Sequence, residues 1–260
     1  MTWPVVARRD LRALHADNSL AVFGGFFALL AAVLAYGATN GAGVTPLSTA
    51  LALLFMFAVP LAAGTLTHEA VPSAVASGRV RLTLSLPHSR STFLAGAGAA
   101  RLTTTLVAVV AAIVVATVVY ALRGAPVPAL RVLAVLALAA LLAAAFVAAT
   151  LAFTARSTST TLAAATTFGF FALALFWPIA LSLVRVVLAG QFGVQVRLGL
   201  TDLLVVASPL YAYVNALTVV GIDPVATTGS VPDGVGVAVL LAWTLVGFAL
   251  ASRRFARIEL

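Results

Sequence analysis

The sequence predicts an all-α membrane protein with six transmembrane helices, an N-terminal interfacial amphipathic helix and a re-entrant external segment before the last helix. Of the 260 residues, 63% are hydrophobic and 8% are charged, whereas soluble domains average about 45–50% apolar and about 25% charged residues. Long apolar runs also recur along the chain, and the backbone of such runs must be satisfied within helices in lipid. We expect residues 1–260 to form a single transmembrane domain.

Residues 1–18 predict a helix that lies in the membrane interface. Its apolar residues recur at spacings of four, four and three, which places them on one face: Trp3, Ala7, Leu11 and Leu14. Its basic residues share another face: Arg8, Arg12 and His15. A helix of this kind lies on the cytoplasmic side with its arginines near anionic headgroups.

Six apolar runs predict the spanning helices: 20–37, 47–66, 103–120, 130–153, 161–184 and 235–252. Small residues allow helices to approach closely in a bilayer. Four glycines are therefore predicted to lie at helix packing contacts: Gly24, Gly25, Gly96 and Gly98.

Segment 185–234 contains one more apolar run, 203–221, which is long enough to span but is interrupted at Ser208-Pro209. If it does not span, ten arginines lie inside and four outside, as the positive-inside rule favours. The inside set is Arg8, Arg9, Arg12, Arg79, Arg81, Arg90, Arg156, Arg253, Arg254 and Arg257, and the outside set is Arg123, Arg131, Arg185 and Arg197. We therefore predict an external re-entrant or interfacial hairpin broken at Pro209, with both termini cytoplasmic.

Segment 67–96, between the second and third apolar runs, is polar enough to leave the bilayer and forms a cytoplasmic loop. It resembles the signature of ABC-2 type transporter permeases in its ordered residues: Gly78, Leu84-Ser85-Leu86-Pro87, Ser89-Arg90 and Gly96. It departs from that signature at Ala74-Val75-Ala76, where the family usually has an acidic pair, and at Ala97, where it usually has a lysine. Glu69 supplies a negative charge nearby.

The resemblance implies the membrane-spanning permease subunit of an ATP-driven exporter in the cell membrane. In that family the loop rests on a separate cytoplasmic ABC ATPase, and two permease copies form the pathway. The residues implied to contact the ATPase are Glu69, Gly78, Arg79, Arg81, Pro87, Ser89 and Arg90. The ATPase would hold ATP and Mg²⁺, so no cofactor is expected in this chain.

The residues themselves predict no enzyme, because no catalytic or metal-binding combination is present. The chain has no lysine for a Walker A motif and no cysteine. His68-Glu69 lacks the second histidine of a zinc-protease motif, since Pro72 occupies that position. The net charge of +8 follows from membrane topology rather than from nucleic-acid binding.

Two alternative functions remain open from the sequence. An ATP-independent secondary carrier or channel would normally keep a carboxylate in the membrane, and no acidic residue falls in the middle of a predicted span. A membrane scaffold that transports nothing would use the loop only to recruit a protein. The apolar composition of the spans suits a lipid-like or hydrophobic cargo slightly better than an ion.

Overall fold

The computed structural model describes residues 3–40, 45–85, 89–194, 197–223 and 230–258. In these ranges the chain forms eleven helices and no strand: α1 Trp3–Ala16, α2 Ser19–Ala38, α3 Leu47–Thr67, α4 Pro72–Ala76, α5 Arg79–Leu84, α6 Arg90–Leu122, α7 Ala129–Thr154, α8 Thr160–Phe192, α9 Leu198–Val206, α10 Pro209–Thr218 and α11 Val235–Ala256. Six of these helices are long and apolar enough to cross a membrane: α2, α3 with its continuation into α4, α6, α7, α8 and α11. The predicted all-α fold with six spans is confirmed.

Two spanning helices are longer than the sequence predicted. Helix α6 begins at Arg90 rather than near residue 103, because the Ser89 hydroxyl accepts the Thr92 N–H at 3.1 Å and caps the helix. Helix α8 continues to Phe192 and ends where Gly193 takes a left-handed conformation at φ 64°. At 1.5 Å per residue, each of these 33-residue helices is about 50 Å long, which exceeds the hydrocarbon core of about 30 Å.

The first turns of α6 support the interfacial helix. Val6 and Ala7 of α1 are buried, and a Cβ atom added to Gly96 would lie 2.6 Å from the Val6 Cβ. A Cβ atom at Gly98 would lie 2.7 Å from the Phe248 ring of α11. The missing side chains at these two glycines therefore let α1 and α11 approach α6 closely.

The paired glycines of α2 behave differently from those of α6. A Cβ atom added to Gly24 or Gly25 would meet no atom within 4 Å in the described part of the chain. Gly24 is half-buried and Gly25 is exposed. Their role at a helix packing contact stays a prediction.

The core lies where α3, α6, α10 and α11 pack around α7. Gly247 brings α11 onto α7, since a Cβ atom there would lie 2.9 Å from the Ala148 Cβ. Helix α10 is buried along most of its length, from Pro209 to Leu217. Helix α8 is the opposite case, because within this fully described helix only Ala163, Thr167 and Ala174 are buried. Helix α8 thus stands at the margin of the bundle.

Helices α9 and α10 form a bent pair with an angle of 106° between them. The bend falls at Ala207 and Ser208, directly before Pro209, which confirms the predicted break. Pro178 of α8 has no N–H, so the Ala174 carbonyl loses its donor within the helix. The Ser208 hydroxyl replaces that donor at 2.9 Å, and the α9–α10 hairpin is thereby fixed to α8.

Candidate functional site

The loop between the second and third spans folds into two short helices. Gly78 separates α4 from α5 with a φ of 70°, a backbone conformation that is cheap for glycine and strained for other residues. This turn sends α5 back toward the bundle, where Val80 is buried. We call the end of the bundle that carries residues 68–85 the loop end, and the end that carries residues 219–223 and 230–234 the hairpin end.

Arg79 stabilises the loop itself. Its Nε donates to the Ser77 hydroxyl at 3.0 Å and its Nη2 donates to the Ser73 hydroxyl at 3.2 Å. The Ser73 hydroxyl in turn donates to the Glu69 carbonyl at 2.7 Å. Arg79 is therefore engaged in holding α4 and α5 together.

Glu69 and Arg81 present charge at the surface of the loop. The Glu69 side chain is 60% exposed and lies 3.5 Å from the Nε2 atom of His68. Arg81 is exposed on α5. Both side chains are therefore accessible at the surface.

Arg90 contacts the last helix of its own chain. Its Nη1 donates to three carbonyl oxygens at the C-terminal end of α11: Phe255 at 3.0 Å, Ala256 at 2.8 Å and Ile258 at 2.8 Å. The last carbonyls of a helix have no partner within the helix, and a cation is favourable there. Arg90 thus joins the exit of the loop to the last helix.

An aromatic contact reinforces this junction. The rings of Phe93 and Phe255 stack with their centroids 5.5 Å apart and an interplanar angle of 18°, and both side chains are buried. Ser89, one residue before Arg90, caps α6. The Ser-Arg pair of the motif therefore orders the start of α6. Pro87, which the resemblance also assigned to the contact, lies outside the described residues.

A polar cavity of about 370 Å³ lies at the loop end between α1, α3, α4 and α6. Its charged lining residues come from both the interfacial helix and the loop: Arg9, Asp10, Asp17, Glu69, Arg79 and Arg101. The cavity brings Glu69 and Arg79 of the loop beside α1. It provides charges of both signs at one surface, which suits a protein partner with complementary charges.

An ion pair between Asp10 and Arg101 fixes α1 to α6 at the edge of this cavity. The Arg101 Nη1 lies 2.6 Å from the Asp10 Oδ2, and the two side chains are 12% and 14% exposed. Arg101 also donates to the Ala97 carbonyl at 3.0 Å. The sequence analysis did not predict this ion pair, although Asp10 is the one carboxylate of α1 and lies among its arginines, which indicates an ionic partner.

Replacement of Asp10 by asparagine is expected to weaken the attachment of α1 by about 1.5–3 kcal/mol, because the half-buried Arg101 guanidinium would lose its charged partner. Trypsin cleavage at the exposed Arg8 and Arg12, followed in detergent, measures this attachment, and faster cleavage is expected. Asp17→Asn changes an exposed carboxylate and serves as the control. Equal cleavage of both variants would contradict the assigned role of the ion pair.

The six apolar helices, the interfacial helix α1 and the compact loop define a multi-pass membrane protein with the architecture of a transporter's membrane subunit. The chain belongs to the ABC-2 family transporter proteins, whose family model matches residues 5–260. A comparison with curated proteins gave no match. Membership in this family makes the chain the membrane component of an ABC transporter, and the family in general works with an ABC ATPase.

Proposed function

We propose that this chain is the permease subunit of an ATP-driven exporter and that a separate ATPase docks on the loop end. The observation that carries the proposal is the polar cavity, where the loop residues Glu69 and Arg79 meet the ion pair that joins α1 to α6. One partner seated there would contact both the loop and the interfacial helix. A movement of the ATPase against this surface would therefore be transmitted to α3 through the loop and to α6 through α1.

The loop is connected to the bundle by contacts that can transmit a rigid-body movement. Arg90 joins it to the C-terminal end of α11. At its other end, α11 contacts α10 of the α9–α10 hairpin, since the Gly236 N–H donates to the Asn215 Oδ1 at 2.8 Å. ATP-driven closure of the ATPase would move the loop, and α11 would carry that movement to the hairpin end.

The predicted contact residues take two different roles in this proposal. Glu69 and Arg81 are exposed and would contact the ATPase directly. Gly78, Arg79, Ser89 and Arg90 would act as positioning residues, because their contacts lie within the chain. Pro87 stays a prediction as a contact residue.

The remaining parts of the proposal come from the family resemblance and from composition. Two copies of the chain would form the pathway in the cell membrane, with both termini in the cytoplasm. The ATPase would hold ATP and Mg²⁺. The cargo would be hydrophobic or lipid-like, since the acidic residues lie outside the middle of the spans.

Crosslinking from a single cysteine tests where the ATPase docks, because the chain has no cysteine of its own. A short bifunctional reagent on Arg81→Cys is expected to join the chain to a soluble protein with a Walker A motif. Arg156→Cys, an exposed position in the turn between α7 and α8, is the matched control and should give several-fold less product. Equal yields at the two positions would contradict docking on the loop.

A further inference from the structure

An apolar crevice lies between α8 and α11 and is bordered by the bend of the α9–α10 hairpin. Its volume is about 230 Å³. The rings of Phe170, Trp177 and Trp243 line it together with the bend at Ala207 and Ser208. The rings of Phe170 and Trp243 contact each other, with centroids 5.3 Å apart. The crevice belongs neither to the loop end nor to the polar cavity.

The polar groups of this lining are already engaged within the protein. The Trp177 Nε1 donates to the Leu204 carbonyl at 2.7 Å, and the Trp243 Nε1 donates to the Ala207 carbonyl at 2.9 Å. The Ser208 hydroxyl donates to Ala174 of α8. None of the lining residues is charged. The crevice therefore offers carbon surface and no free donor, which excludes a polar ligand group.

The crevice lies at the depth of the hydrocarbon core. Trp243 follows the start of α11 by eight residues and Phe170 follows the start of α8 by ten, so they lie about 12 Å and about 15 Å along their helices. These helices enter the bilayer from opposite ends, and the hydrocarbon core is about 30 Å thick. The two rings thus meet near its middle.

Size restricts what the crevice can hold. An engineered cavity of about 150 Å³ in a soluble protein binds benzene, so 230 Å³ accommodates a somewhat larger apolar group. A helix of a second copy is about 10 Å across and does not fit into it. A flexible hydrocarbon chain fits the volume, the apolar lining and the depth together.

We propose that this crevice is a binding site for a single hydrocarbon chain, belonging either to the exporter's cargo or to a membrane lipid. If the hydrocarbon chain belongs to the cargo, the proposal rests on the proposed function and specifies the class of substrate. The chain would lie against the two indole rings, beneath the hairpin bend. Because α11 joins this bend to the loop end, movement of the loop would change the shape of the crevice.

Tryptophan fluorescence tests the proposal on the full chain. In a Trp3→Phe background only Trp177 and Trp243 emit, since the sequence has three tryptophans. Titration with dibromostearate in maltoside micelles is expected to quench this emission saturably, because the bromine atoms would lie against the rings. Quenching that rises linearly with the probe would show only partition into the micelle and would overturn the site.

A variant that fills the crevice sharpens the test. Ala207→Leu is expected to raise the half-saturating probe concentration at least fivefold, whereas Ala172→Leu, at an exposed position of α8 outside the crevice, should leave it unchanged. An unchanged emission maximum and gel-filtration profile verify that both variants fold. Identical saturation curves for the two variants would overturn the proposal.

Adding the ATPase and ATP distinguishes the two sources of the chain. Loss of quenching on ATP addition would assign the chain to cargo. Quenching that survives ATP but is competed by ordinary phospholipid would assign it to a membrane lipid and still support the site. The failure of an ATPase to copurify would count against the proposed function, while the quenching result would stand independently.

Discussion

Arg90→Ala is expected to release the C-terminal end of α11 and to uncouple the transporter. The variant removes three hydrogen bonds from one guanidinium to the carbonyls of Phe255, Ala256 and Ile258. Hydrogen bonds to a charged group contribute about 1.5–3 kcal/mol, so we expect a loss of at least about 3 kcal/mol at this junction. Hydrogen exchange at residues 255–258 should become at least tenfold faster, and stimulation of the ATPase should fall several-fold.

Two further variants distinguish a positioning role of Arg90 from a direct contact with the ATPase. Arg90→Lys should retain only part of the wild-type protection of residues 255–258 and of the ATPase stimulation, because an ammonium group cannot reproduce the planar arrangement of guanidinium donors. Arg253→Ala removes an exposed arginine of α11 and is the matched control. If Arg90→Ala abolished ATPase binding while exchange at residues 255–258 stayed normal, Arg90 would contact the ATPase directly and the junction would not be its role.

Gly236→Ala is the second substitution with a large expected effect. The added Cβ would lie 2.0 Å from the Ala212 carbonyl oxygen and 2.8 Å from the Ala216 nitrogen. It would also disturb the hydrogen bond from the Gly236 N–H to the Asn215 Oδ1, which is 2.8 Å long and buried. Overpacking of this kind costs about 1–3 kcal/mol and occasionally more, and backbone atoms cannot move aside as a side chain can.

Thermal unfolding in detergent measures the effect of Gly236→Ala. We expect a lower transition temperature and a hairpin that no longer packs on α11. Gly169→Ala in α8 is the control, because its Cβ would meet no atom of the described residues within 4 Å. Alanine exceeds glycine in helix propensity by about 0.5–1 kcal/mol, so this control should be neutral or slightly stabilising. A Gly236→Ala variant as stable as its control would contradict the close contact between α10 and α11.

The parts of the fold that depend on local pattern could be predicted from the sequence. Apolar runs identified the six spans, since each run alone satisfies the length that a bilayer requires. The Ser208-Pro209 pair identified the break in the hairpin, because proline cannot continue the preceding helix. The early start of α6 was missed because the small residues of 95–100 predict a packing segment before the span. The cap at Ser89 is what extends the helix through it.

The parts of the site that depend on distant contacts could not be predicted. Arg90 and the carbonyls it binds are at least 165 residues apart in the sequence, and Asp10 and Arg101 are 91 apart. A motif that resembles a family's docking loop suggests that each of its polar residues contacts the partner. In this chain several of them also hold the loop to its own helices, and this role is visible only in the three-dimensional placement.

Copurification from the native membrane tests the central claim most directly. We expect the wild-type chain, extracted in mild detergent, to carry a stoichiometric soluble protein with a Walker A motif. The double charge-reversal variant Glu69→Arg with Arg81→Glu should no longer copurify with that protein, whereas the Arg156→Glu variant should still do so. A wild-type chain that emerges alone, under conditions that preserve other membrane complexes, would contradict the account and favour an ATP-independent carrier.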